Sequence, residues 1–184
     1  LQKYDYEIIG IDSSIEMLNK ARENYPEILW LCQDITDYEL FGTADVFVSL
    51  LDTINHILDE EDIINIFRSF KNYMSVGGIF VFDIGTYKHF AETLGDNVFF
   101  EDYDDFTLLW DNEFDEEEGI NEAALTLFER GEDDLYSRSD GTIEERYYDK
   151  DRLIEIASEA GLSFVGEEAM DDERVFLIFK RETL

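Results

Sequence analysis

The chain has one cysteine, one proline and two histidines in 184 residues, and only 14 lysines and arginines stand against 46 acids. A single thiol, Cys32, excludes an internal disulfide. Beside Leu29, Trp30 and Leu31 it is expected in the core, in a reducing, cytoplasmic compartment. Two distant histidines and one cysteine offer no metal-ligand spacing, and Asp115–Glu118 lacks the spaced ligands and glycine of an EF-hand loop, so no metal is expected. The formal net charge of -32 repels phosphate backbones and anionic lipid, which argues against nucleic acid or a membrane as partner. It suits a cationic substrate or cofactor, or a solubility role. No apolar run approaches the ~20 residues that cross a bilayer. What is present is the composition of a folded globule, 45% hydrophobic and 15% aromatic. The length favours one domain with an insertion.

Four segments repeat one grammar: an apolar strand, a polar or acidic residue at its end, then a turn or helix. Glu7–Ile11 ends on Asp12, Ile28–Cys32 on Gln33-Asp34, Ala44–Leu51 on Asp52, and Gly78–Phe82 on Asp83. Strands with so little polar alternation are expected to be buried on both faces, as in a parallel sheet covered by helices. After Asp12 a helix starts at once. Ser13 and Glu16 have the spacing of a capping box, and Ile15, Leu18 and Ala21 recur at helical spacing. Asp59–Asp62 places acids on a second helix start, Ile63, Phe67, Phe70 and Met74 form its apolar stripe, and Gly77-Gly78 is expected to stop it. In open α/β sheets ligands bind beyond the carboxyl ends of the strands, where these acids fall. A carboxylate there accepts hydrogen bonds from ribose hydroxyls; the plainer reading of Asp12 is a helix cap.

From Glu92 to Arg146 the character changes: 20 acids and 3 basic residues are interleaved with aromatic and aliphatic side chains at even spacing. Turns are expected at Asp115–Gly119, Gly131–Asp134 and Ser139–Gly141, the last with Asp140-Gly141 as a hairpin signal. The pattern predicts an antiparallel meander with one apolar and one charged face, which covers the active-site mouth or pairs subunits into a homodimer. A helix over Asp149–Ala160 follows. Two strands, Leu162–Met170 and Arg174–Lys180, must then be an antiparallel hairpin, because three residues cannot make a parallel crossover. The expected division is a partial α/β core over 1–89, an antiparallel insertion over 90–148, and a closing helix and hairpin over 149–184.

A parallel α/β sheet closed by an antiparallel hairpin resembles the class I S-adenosylmethionine-dependent methyltransferases, of the bacterial small-molecule type with an antiparallel insertion. IDSSIEMLNKA (Ile11–Ala21) and SLLDTINHI (Ser49–Ile57) carry the likeness. The resemblance implies S-adenosylmethionine as cofactor. Asp12 would hold its ribose with Ser13 beside it, Met17 and Ile35 would pack on the adenine, Asp34 would take the adenine amino group, and Leu51 would lie along the cofactor. It also implies a first strand and a glycine-rich turn before Ile8, whereas Leu1–Tyr6 holds no glycine. The chain is therefore expected to be part of a longer protein, or to receive that strand from another chain. As it stands it would bind cofactor weakly and could be inactive.

Methyl transfer from a sulfonium needs alignment, exclusion of water and sometimes removal of a proton. His56 is the candidate general base for N- or O-methylation of a small molecule, and the alternative is a residue that packs at the next helix start. Asn55 orients the acceptor or makes a turn. Two rival functions remain: a non-catalytic module that binds a partner through the acidic meander, and an NAD-dependent dehydrogenase, which also uses an acid after its second strand.

Overall fold

The computed structural model describes residues 6–131 and 135–182. The chain divides into two compact units, Leu1–Thr43 and Ala44–Leu184.

In the first unit, β1 (Ile9–Asp12), α1 (Ile15–Asn24) and β2 (Leu29–Cys32) form a βαβ arrangement, with β1 and β2 parallel and Asp12 opposite Cys32. The helix start differs from the expected Ser13 box. Asp12 Oδ1 accepts from Ser14 N at 2.7 Å, and Ser14 is the N-cap, its hydroxyl accepting from Met17 N at 3.2 Å. The Asp12 turn uses one more residue before the helix, so the cap moves from Ser13 to Ser14. Gly10 lies opposite Trp30, and a Cβ on Gly10 would stand 2.1 Å from the indole. Glycine is what lets that ring lie flat across the sheet. Cys32 is exposed, not in the core, because the fourth residue of β2 falls on the open side of a two-stranded sheet. Ile9 and Leu29 are likewise exposed, contrary to the expectation of strands covered on both faces.

The second unit begins with β3 (Ala44–Ser49), α2 (Glu60–Tyr73) and β4 (Met74–Gly85), and closes with α3 (Lys150–Glu159), β9 (Ser163–Ala169) and β10 (Arg174–Lys180). Its sheet has the order β3-β4-β10-β9, with β3 parallel to β4 and β10 antiparallel to both neighbours. Val46 and Val48 are exposed because β3 is an edge strand. Asp59 caps α2 by accepting from Glu61 N, and Ile63, Ile66, Phe67 and Phe70 are buried along one stripe. Phe67 meets Phe80 edge-on at 5.7 Å, and Phe82 stacks on Phe179 at 5.5 Å. This aromatic core fastens the sheet to the helix. The helix ends at Tyr73, four residues earlier than Gly77-Gly78 suggested. Met74 is already in β4, and Gly77 N donates to Arg181 O, so pairing with the last segment of chain takes over these residues.

Between β4 and α3 runs the meander: β5 (Val98–Asp102), β6 (Phe106–Asp115), β7 (Ile120–Arg130) and β8 (Tyr136–Arg146), antiparallel in sequence order, after a short π-helical turn at His89–Leu94. Asp115–Gly119 is a turn, with Gly119 at φ 69°. Asp140-Gly141 is not. Both lie inside β8 opposite Thr126 and Leu125, and Asp140 is held in the strand by Arg138 and the Thr126 hydroxyl. The Gly131–Asp134 turn falls partly outside the described residues; Gly131 N donates to Leu135 O across that connection.

Candidate functional site

In the first unit the two acids expected to grip adenosine stand at the carboxyl end of the parallel pair. Asp12 uses Oδ1 in its turn with Ser14 N. Asp34 uses Oδ1 to accept from the Thr36 N–H at 2.8 Å and the Thr36 hydroxyl at 2.7 Å. Those bonds, the backbone one first, hold the Asp34 carboxyl below the ordinary aspartate value. Among the described residues neither Oδ2 takes a protein hydrogen bond, so each acid is oriented by one oxygen and open at the other. Met17 is 61% exposed on α1, Ser13 is exposed, and Ile35 is half-buried. Two oriented carboxylates with an apolar surface beside them fit a nucleoside, whose hydroxyls and amino group donate hydrogen bonds.

In the second unit the loop from Leu50 to Leu58 carries the acceptor-side candidates. Leu51 and Asp52 both adopt left-handed backbone, at φ 60° and 61°. Two consecutive non-glycine residues there store roughly 1–3 kcal/mol each. Arg174 fixes the turn. Its Nη2 donates to Asp52 Oδ2 at 2.6 Å and its Nη1 to Asp83 Oδ2, joining the β3–α2 loop, β4 and β10. Burial opposes the Arg174 charge, but the hydrogen bonds to Asp52 and Asp83 outweigh it and raise the guanidinium above its ordinary value. Asp83 is buried inside β4, so it braces the site from within. Leu51, 80% exposed, is the side chain this turn presents.

The end of β8 interlocks with the same loop residue by residue. Arg146 N donates to Asn55 O at 2.7 Å, and Asn55 Nδ2 donates to Arg146 O at 2.8 Å. Arg146 Nη1 donates to Leu58 O, and the Tyr148 hydroxyl to Ile57 O. Asn55 is fully buried, and its Oδ1 accepts from Gly85 N at 3.1 Å. With both ends of its amide engaged by backbone, Asn55 holds the loop against β4 and β8. His56 lies in this clamp: Nδ1 is 3.4 Å from Glu144 O, and Nε2 is 3.6 Å from Glu145 Oε1. Burial raises the Glu145 carboxyl above its ordinary value, and the His56 charge works against that shift. Arg174, Asp83 and Glu145 were not marked by the sequence as site residues. Asp83 carried a signal, an acid at a strand end, whereas Arg174 and Glu145 resembled ordinary strand charges. Among the described residues no group of His, Cys, Asp and Glu is placed to hold a metal ion, and no helix is long and apolar enough to cross a membrane.

The chain is similar to known methyltransferases. The sequence pattern of the methyltransferase-domain family matches residues 1–78. YqeM of Bacillus subtilis (strain 168), provisionally named a methyltransferase, is 29% identical over 167 residues, 88% of this chain and 66% of YqeM. The chain thus spans just under two thirds of that relative's length. A crystal structure of an S-adenosylmethionine-dependent methyltransferase from Clostridium acetobutylicum ATCC 824 is 26% identical with a TM-score of 0.86, covering 97% of this chain and 76% of that one. CalS10 of Micromonospora echinaspora, an amino pentose methyltransferase, shares the fold at 12% identity with a TM-score of 0.78, covering 98% of this chain and 76% of its own. The strand orders, the acid-ended parallel pair and these likenesses together show that the chain has the α/β fold of the class I S-adenosylmethionine-dependent methyltransferases.

Proposed function

We propose that the protein transfers a methyl group from S-adenosylmethionine to a nitrogen or oxygen of a small molecule. The observation that carries this reading is the parallel β1/β2 pair, where Asp12 and Asp34 are each oriented through Oδ1. Asp12 Oδ2 would accept from the ribose hydroxyls and Asp34 Oδ2 from the adenine amino group, with Ser13, Met17 and Ile35 along the nucleoside. When bound, S-adenosylmethionine supplies an electrophilic methyl on a sulfonium that departs as a neutral thioether. The protein's share is to orient the acceptor, exclude water and take up the acceptor's proton. His56 is the group for that last task, with a half-exposed ring that can return the proton to solvent.

The inserted β5–β8 sheet, with the preceding turn spanning roughly residues 90–148, is read as a lid or subunit contact on a core formed by the segments on either side. The acid excess suits a cationic, amine-bearing acceptor better than an anionic one. The exposed, unpaired Cys32 suits a cytoplasmic setting. Calorimetry on the complete protein separates the readings. Binding of S-adenosylhomocysteine without binding of NAD supports methyl transfer, the reverse supports a dehydrogenase, and binding of neither supports a partner-binding module.

A further inference from the structure

The inserted sheet does more than flank the acceptor loop. Asn55, His56, Ile57 and Leu58 each have a contact in the segment 144–148, through the pairs described above. The backbone on either side of His56 is therefore held to the end of β8. The Glu144 contact is to a peptide carbonyl, which only accepts, so it selects the imidazole with its proton on Nδ1. The lone pair is then on Nε2, which lies 3.6 Å from the Glu145 carboxylate, too long for a hydrogen bond but close enough for an ion pair. The Glu145 side chain is 17% exposed and that of His56 is 46% exposed, so the acid is withheld from water while the base is open.

We propose that Glu145, delivered by the inserted sheet, is the positioning residue of His56: it lies beside Nε2 and stabilises the imidazolium formed when the acceptor gives up its proton. This rests on the reading of His56 as the acceptor-side base. As the acceptor lone pair bonds to the methyl carbon, the carbon–sulfur pair stays with sulfur. The acceptor's proton passes to His56 Nε2, and the new cation lies beside an anion already in place. Nδ1–H stays on the Glu144 carbonyl throughout. The charged groups around Glu145 are His56 and Asp52 from the loop, His89 from the π-helical turn and Arg174 from β10. Burial, the largest influence, raises Glu145, and His56 lowers it, as a facing cation must.

The test needs neither cofactor nor acceptor, so its failure is distinct from failure of the methyltransferase reading. With only two histidines, 15N-histidine-labelled protein can be assigned using a His89→Asn variant, and long-range 15N–1H correlation reads the tautomer. The neutral His56 ring is expected to carry its proton on Nδ1. The Glu145 carboxyl, followed by 13C and identified by its loss in Glu145→Gln, is expected to titrate above ordinary glutamates. In His56→Gln it should titrate higher still, since the neighbouring cation is gone. Melting temperatures of both variants check that the clamp remains folded, and if His56→Gln loses it, His56→Asn gives the same reading. A neutral ring protonated on Nε2, or a Glu145 titration indifferent to His56, overturns the proposal.

Discussion

Arg174 holds Asp52 through Nη2 and Oδ2 at 2.6 Å, and Asp52 is held in left-handed backbone. Residues 122 positions apart thus set the shape of the loop that presents Leu51 and leads into His56. The same guanidinium also pairs with Oδ2 of the buried Asp83, whose Oδ1 has no hydrogen-bond partner among the described residues.

Replacing Arg174 with Met removes the only counter-charge the structure gives Asp83 among the described residues. Breaking a buried pair costs ~3–5 kcal/mol; with Arg174 about one-fifth exposed, roughly 2–4 kcal/mol is expected by urea unfolding. Asp52→Gly should cost less than Asp52→Ala, because glycine accepts φ 61° without strain. Equal costs for the two would show that the strain is negligible.

Asn55→Ala leaves Gly85 N–H and Arg146 C=O without their partner. Two buried unsatisfied groups predict a loss of roughly 2–4 kcal/mol, seen as a lower midpoint of denaturation. Faster hydrogen exchange should be concentrated at Gly85 and at Arg146, whose N–H bonds Asn55 O. A loss below about 0.5 kcal/mol would mean the clamp is held elsewhere.

Tyr148 is buried with its hydroxyl donating to Ile57 O, and burial pushes its titration from 10.0 up to about 12. A raised folded value contributes stability that is complete below pH 10 and disappears as pH rises through 12. That contribution is about 2–3 kcal/mol. Thermal melts of the wild type should fall between pH 10 and 12 by more than those of Tyr148→Phe. Parallel curves would contradict the burial account.

Much of the fold is legible in the sequence because it rests on local rules. The apolar run ending on Asp12, the acid-started α2 and the short Asp171–Glu173 connection each dictate their element without reference to distant residues. The meander was visible in its alternation, yet Asp140-Gly141 misled. A turn signal is a local preference, and register with β7 overrode it. The cap at Ser14 instead of Ser13 has a similar origin, in an Asp12 side-chain bond that shifts the frame by one residue. The Arg174–Asp52–Asp83 brace and the Glu145–His56 contact were not legible. Each joins residues more than 85 positions apart, and no periodicity encodes such a meeting.

The central claim is that Asp12 and Asp34 grip an adenosine. Titration of S-adenosylhomocysteine into the complete protein and into Asp12→Ala measures it most directly, with Asp34→Asn alongside. Charge-assisted hydrogen bonds of roughly 1.5–3 kcal/mol predict a loss of about 10- to 150-fold for Asp12→Ala, beside the lower melting temperature that follows from losing the Ser14 N bond. Asp34→Asn should lose its preference for adenine over analogues without the exocyclic amino group. Undiminished affinity in Asp12→Ala, with only the melting temperature lowered, would reduce Asp12 to the turn that starts α1 and contradict the account.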